Sequence, residues 1–153
     1  MTTREQPGQR GFTLLEMMAV VLIIGLLMTL VGTQVAQRID SARVTTTAAK
    51  LKQLEQALEM YRLDNIRYPS TEQGLQALIE KPNGDPEPKR WQAGGYARRD
   101  MLLDSWQEEF QYASPGTNNA RSFDLWSFGA DATAGGEGND SDIANWYSEV
   151  GGG

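Results

Sequence analysis

A chain of 153 residues with a formal net charge of −6 has room for one modest globular domain, and its acidity disfavours a nucleic-acid partner. It contains no Cys and no His, which excludes a disulfide framework, a thiolate metal site, and the commonest general base and zinc ligand. With no nucleophile–base constellation in the sequence, an enzyme is not expected.

The first element is a short basic segment, Met1–Gly11, with Arg4 and Arg10, followed by an apolar run from Phe12 to Val31 whose one charged residue is Glu16. The run is long enough to span a bilayer, which needs roughly 20 mainly apolar residues. A carboxylate inside such a segment costs about 2.5–3.5 kcal/mol on insertion scales, so Glu16 marks function unless it merely snorkels to the interface. A secretory signal peptide would be shorter and would end in small residues, whereas Ala36 is followed by the polar Gln37-Arg38. A plain membrane anchor is the stronger rival. Under either membrane reading, Arg4 and Arg10 ahead of the run keep the N-terminus cytoplasmic and place the bulk of the chain beyond the inner membrane.

Helical signals continue past the apolar run. From Val35 to Tyr61 there is no Pro or Gly, and Ala, Leu, Gln, Glu, Lys and Arg dominate. Val44, Ala48, Leu51, Leu54, Leu58 and Tyr61 recur at spacings of three and four and draw one apolar stripe, with Lys50, Lys52, Glu55, Gln56, Glu59 and Arg62 on the other faces. The predicted spine helix is therefore apolar all round over 12–34 and amphipathic over 35–62, with a globular head over 63–150. Gly25 and Gly32 in the apolar half permit bending or close packing between helices.

Pro69 ends an extended piece, and Ser70 or Thr71 is placed to cap a short second helix carrying Leu75, Leu78 and Ile79. Asn83-Gly84-Asp85-Pro86-Glu87-Pro88 reads as a turn-rich loop. Arg90, Arg98 and Arg99 lie near Trp91 and Tyr96, but Asp100 and Asp104 are close by, so ion pairs are expected there rather than a nucleic-acid patch. Phe110–Ala113 and Phe123–Phe128 are aromatic-rich alternating segments that predict two antiparallel strands joined by a loop. In the second, Phe123, Leu125 and Ser127 share one face, and Asp124, Trp126 and Phe128 the other. The expected class is α+β, a small sheet packed on the helix.

Four acidic residues, Asp131, Glu137, Asp140 and Asp142, are interleaved with Gly and small polar residues over 129–142. Such a loop can wrap oxygen ligands around a hard cation, although its spacing does not match an EF-hand, and a solvated acidic loop is the plain alternative. Trp146-Tyr147 is expected to pin this loop to the head, and Gly151-Gly152-Gly153 to be disordered.

Arg10-Gly11-Phe12-Thr13-Leu14-Leu15-Glu16, in register with the apolar run, resembles the prepilin signal of type IV pilins and type II secretion pseudopilins. Met60-Tyr61-Arg62-Leu63-Asp64-Asn65, Arg67-Tyr68-Pro69-Ser70-Thr71-Glu72-Gln73-Gly74-Leu75, Gly94-Gly95-Tyr96 and Asp142-Ile143-Ala144-Asn145-Trp146 narrow the resemblance to the major pseudopilin of the type II secretion system. Two departures stand out. The chain lacks the family's usual Pro near Gly32-Thr33, and Leu103-Asp104-Ser105-Trp106-Gln107 lacks the common Pro before and Gly after Trp.

The resemblance implies a pilin-like fold and a cleaved leader, 1–11. A prepilin peptidase would cut between Gly11 and Phe12, and the new Phe12 amine would be methylated. Removal of two Arg and one Glu with the leader moves the formal charge from −6 to −7. Glu16 would pair with an amine of a neighbouring subunit, since two charges in lipid neutralise each other. One structural calcium ion is implied in the loop 128–142. Its side-chain oxygens would come from Asp131 and from Asp140 or Asp142, with the carbonyls of Phe128 and Thr133 and an oxygen of Ser141 completing the shell. The implied function is that of a single-pass inner-membrane subunit polymerising into a periplasmic pseudopilus that drives substrates through an outer-membrane secretin. Its partners would be copies of itself, minor pseudopilins, and the inner-membrane assembly platform with its ATPase. A type IV pilin is the alternative, and the missing Cys leans against it.

Overall fold

The computed structural model describes residues 11–147, the side chains of 30–37 excepted. The chain divides into two compact units, Met1–Ile39 and Asp40–Gly153, and one long helix, α1, Leu14–Asn65, contributes to both. The leader residues before Gly11, the apolar side chains of Leu30 and Val31, and the C-terminal glycines lie outside what is described.

In the first unit, α1 opens with a reciprocal capping box. The Glu16 amide donates to the Thr13 hydroxyl at 3.2 Å, and the Thr13 amide donates to the Glu16 carboxylate at 3.4 Å. Every large apolar side chain from Phe12 to Met28 is exposed, Phe12 by 80% and Leu14 by 82%. Among the described residues no helix is long and apolar enough to cross a membrane; within the N-terminal run, side chains are described only as far as Thr29.

In the second unit, the stripe of α1 forms one wall of the core. Leu51, Leu54, Ala57, Leu58 and Tyr61 are buried with Leu75, Leu78, Leu102, Phe110, Phe123 and Leu125. Val44 and Ala48 are only half-buried, and Thr47 is fully buried in their row. The reason is polar: the Thr47 hydroxyl donates to the Ser105 hydroxyl at 2.9 Å and accepts the Ser105 amide at 3.1 Å. Lys50, expected on an outer face, instead donates to the Leu103 carbonyl at 2.7 Å.

The helix also runs one turn past its expected end at Arg62. Asn65 is buried there; its Nδ2 donates to the Tyr61 carbonyl at 3.0 Å and its Oδ1 accepts the Arg90 amide at 2.9 Å. A tertiary contact, rather than helix propensity, holds the last turn.

Three antiparallel strands make the sheet: β1 Gln111–Ala113, β2 Asp124–Ser127 and β3 Ile143–Ala144, in that spatial order. Tyr112 faces Leu125, and Ser127 faces Ile143. The first two strands match the sequence reading. The two-residue β3 is too short for alternation to signal it. Phe123, Leu125 and Ser127, expected on one face, are all buried; of the other face, Trp126 and Phe128 are half-buried and Asp124 is buried. The second helix is a single 3₁₀ turn, Leu75–Leu78, entered through Gly74 at φ 58° with no side-chain cap. Ser70 caps the turn before it, its hydroxyl accepting the Gln73 amide at 3.3 Å while Gln73 Oε1 accepts the Ser70 amide at 3.1 Å.

Candidate functional site

Two places carry the sequence-predicted functional residues, one in each unit. At the start of α1, Gly11, Phe12, Thr13 and Glu16 surround an open space of about 490 Å³. Gly11 is exposed and nothing within 4 Å would meet a side chain there, so the Gly11–Phe12 peptide is accessible. The carboxylate of Glu16 is held at the helix end by the capping box, and the N-terminal pole of a helix favours a negative group.

The second place is the loop 128–142, where glycine allows two short 3₁₀ turns, Gly129–Asp131 and Gly138–Asp140, to close on each other. Gly129 adopts φ 76°, and a Cβ there would lie 2.7 Å from the Asn139 carbonyl oxygen and 2.9 Å from that of Ser141. A Cβ on Gly136 would collide with the Asp140 carbonyl. Backbone oxygens are thus brought close to the chain without side chains between them, a cradle suited to oxygen coordination.

Around this cradle, Asp131 accepts the Thr133 hydroxyl at 2.7 Å and the Thr133 amide at 3.1 Å. Those two donors hold its carboxyl below the usual carboxylate range. Asp142 Oδ2 accepts the Gly135 amide at 3.0 Å, but its Oδ1 is buried and has no partner among the described residues. A buried carboxylate oxygen without a donor is costly and calls for a cation or a donor that the described residues do not provide. Asp140 is exposed and contributes a backbone link, its amide donating to the Glu137 carbonyl at 3.2 Å; the Ser141 amide donates to Gly138 at 3.4 Å. Among the described residues no three carboxylates gather into a ready-made metal cluster. The donors are all hard oxygens, and the orphaned Asp142 Oδ1 lies in the predicted loop, so the chemistry fits calcium rather than a transition metal.

Aromatic rings flank the loop. Trp126 lies 6.1 Å from Phe128 and 5.5 Å from Trp146, which in turn lies 5.7 Å from Tyr147. The rings just before and just after the loop therefore meet through Trp126 on β2. Asn145 strengthens this closure: its Oδ1 accepts the Leu125 amide at 3.0 Å and its Nδ2 donates to the Phe123 carbonyl at 3.0 Å.

Sequence reasoning missed two anchoring carboxylates. Asp104 accepts the amides of Trp106 at 2.8 Å and Glu108 at 3.0 Å and the Ser127 hydroxyl at 2.6 Å, tying the 103–109 turn to β2. Asp124 accepts the amides of Thr117, Asn118 and Asn119 and folds the loop after β1 over itself. Their signal in the sequence is an Asp within an otherwise apolar strand or turn, which reads as surface. The basic cluster resolves into ion pairs, Arg98–Asp100 at 2.6 Å and Arg99–Glu80 at 2.7 Å, while Arg90 contributes its backbone, the amide donating to Asn65 and the carbonyl accepting the Tyr96 hydroxyl at 3.1 Å.

Comparison with known proteins bears on both places. The family model described as type II secretion system protein G matches residues 34–146, and a prokaryotic N-terminal methylation motif matches 6–32. The chain is 50% identical over 138 residues to type II secretion system core protein G of Pseudomonas aeruginosa, covering 90% of this chain and 95% of that one. It is 44% identical to the Vibrio cholerae protein of the same name, covering 90% and 92%, and 40% identical to that of Escherichia coli, covering 94% of each. Among solved structures, it resembles the major pseudopilin from the type 2 secretion system of enterohaemorrhagic Escherichia coli. That match has a TM-score of 0.60 and 41% identity, over 71% of this chain and 90% of that one.

Proposed function

The chain belongs to the type II secretion system protein G family, and from that premise we propose that it is the major structural subunit of a secretion pseudopilus. Copies of it polymerise in the periplasm and drive folded proteins through the outer-membrane secretin. The observation that carries this reading is the coverage of one chain by two adjoining matches, the family model over 34–146 and the methylation motif over 6–32. A type IV pilin would share the second match and not the first.

The finer assignments follow from the residues. The accessible Gly11–Phe12 peptide is the proposed cut of the prepilin peptidase, with methylation of the Phe12 amine. The exposed apolar side chains of 12–28 need cover from lipid or from other copies, because fully burying one such side chain contributes about 1.5–3 kcal/mol. With Leu30 and Val31 continuing the apolar sequence, the proposed location is a single inner-membrane pass with the head in the periplasm. In the lone subunit Glu16 occupies its own helix cap; in the filament it is proposed to neutralise a neighbour's Phe12 amine. The proposed partners are copies of the chain, minor pseudopilins, the prepilin peptidase, the assembly platform with its ATPase, and the secretin. The role is structural and not enzymatic.

For the loop, we propose one calcium ion held by Asp131 and Asp142, the carbonyls of Phe128 and Thr133, and oxygens of Asp140 and Ser141. Bound calcium supplies positive charge to a loop that glycine leaves short of packing, and it couples ion occupancy to the stability of the head. The orphaned Asp142 Oδ1 supports this reading.

The test of the function is an intact mass of the protein from host inner membranes, paired with complementation of a strain lacking its major pseudopilin. A chain beginning at Phe12 with one added methyl group, together with restored export, is the expected result. A mass retaining Met1–Gly11 in cells with active peptidase, with no restored export, would overturn it.

A further inference from the structure

We propose that Asn83–Gly84 is a site of spontaneous deamidation, where the folded head converts in time to aspartate and isoaspartate forms. Asparagine is thermally labile when its neighbour leaves its amide free to react. Both Asn83 and Gly84 are exposed. Gly84 adopts φ 108°, and nothing within 4 Å would meet even an added Cβ. The reacting groups therefore have room and water, and no side chain on residue 84 shields the peptide nitrogen.

The other described asparagines are restrained. Asn65 is buried between Tyr61, Tyr96 and Arg90. Asn118 donates its side-chain amide to Asp124 at 3.1 Å, and Asn119 donates to the Phe123 carbonyl at 3.2 Å. Asn145 is tied to Leu125 of β2 and to the Phe123 carbonyl just before it by the two ends of its amide. Asn139 sits inside the 3₁₀ turn Gly138–Asp140 and is followed by a residue with a side chain.

The chemistry needs only water. The Gly84 peptide nitrogen gives up its proton and attacks Asn83 Cγ, forming a new C–N bond. The bond from Cγ to the side-chain nitrogen breaks, and ammonia leaves with the proton. Water then adds to one of the two succinimide carbonyls and opens the ring. Attack at the side-chain carbonyl carbon gives aspartate; attack at the main-chain one gives isoaspartate, with one extra methylene in the backbone. No electron is transferred.

Either product places a new carboxylate beside Asp85 and two residues from Lys81, which pairs with Glu87 at 2.9 Å. The loop is also held by the Gln73 side-chain amide donating to the Pro86 carbonyl at 3.0 Å. Conversion thus gives the head a second charge state, concentrated in one exposed loop.

The experiment is peptide mapping of the full-length protein in detergent, incubated at mildly alkaline pH either folded or in urea. The readouts are a gain of about 1 Da at Asn83 and isoaspartate-specific methyl transfer. The folded chain is expected to react at Asn83 within about threefold of the urea rate, because Asn83 and the Gly84 peptide are already exposed with nothing packed on residue 84, while Asn65 and Asn118 are slowed by at least about tenfold. Gly84→Ala should slow the reaction in urea as well as in the fold, which separates blocked chemistry from an altered loop. The proposal is overturned by Asn83 reacting more than about tenfold slower when folded than in urea, or by Asn139 converting first.

Discussion

Replacing Asp124 by Ala tests the buried carboxylate that organises the loop after β1. Asp124 is 2% exposed, and its two oxygens accept the amides of Thr117 at 2.7 Å, Asn118 at 2.8 Å and Asn119 at 2.9 Å, with Asn118 Nδ2 at 3.1 Å. A hydrogen bond to a charged group contributes about 1.5–3 kcal/mol. Thr117 and Asn118 are exposed, so their amides can turn to water, and the loss per bond falls to the lower end of that range or below it. The expected destabilisation is about 3 kcal/mol, read by near-UV circular dichroism as a fall in melting temperature of roughly 12–24 °C for a head of this size. Asp124→Asn keeps one acceptor oxygen and should lose about half as much. A Cβ on Gly116 would collide with the Asp124 carboxylate and also lie 2.9 Å from the Asp124 backbone nitrogen, so Gly116→Ala should destabilise the parent and do less harm beside Asp124→Ala, where only the backbone clash remains. That non-additivity is the sign of direct contact. A change below about 0.5 kcal/mol for Asp124→Ala, or plain additivity with Gly116→Ala, would refute the reasoning.

Burial pushes the Asp124 carboxyl up, but the amides of Asn118 and Asn119 outweigh it and leave its pKa below the ordinary value. Its contribution to stability is then complete above the unfolded value of about 3.9 and is lost as pH falls through the folded value, so the parent's melting temperature should drop below about pH 4 more steeply than that of Asp124→Ala. Gln107 holds φ 71°, where an L side chain is strained by about 1–2 kcal/mol; Gln107→Gly should stabilise the head by about 0.5–1 kcal/mol after the greater freedom of unfolded glycine is deducted, and a lower melting temperature would count against the strain. Asp131→Ala should weaken calcium binding and remove the calcium-dependent rise in melting temperature, with leader processing unchanged; equal melting of the parent in calcium and in chelator would remove the site. Glu16→Gln retains a capping oxygen but no charge, so assembly as poor as that of Glu16→Ala assigns the residue's role to charge pairing, whereas normal filament yield assigns it to the helix cap.

What could be read in the sequence follows from how many residues carry each signal. The stripe of α1 is written over about five turns, Val44 to Tyr61, so period alone places Leu51, Leu54, Leu58 and Tyr61 in the core. β1 and β2 were visible because aromatic alternation persists for four residues or more in each segment. β3 has two residues and exists because Asn145 clamps the backbone beside it to β2, a long-range contact that no local pattern records. The same limit explains Lys50 and Asp104. A Lys among outward-facing residues and an Asp in a turn look solvated until the fold brings the Leu103 carbonyl to one and the Ser127 hydroxyl to the other.

These polar anchors share a geometry that bears on function. Thr47 and Lys50 hold the 103–109 turn to α1, Asp104 holds that turn to β2, and Asn145 holds β2 to the chain leaving the acidic loop. Calcium at Asp131 and Asp142 would therefore act on the end of a connected set of hydrogen bonds that reaches the helix. A cation stabilising that loop would stiffen the head to which the loop is tied, which is a structural use of metal that needs no catalytic residue.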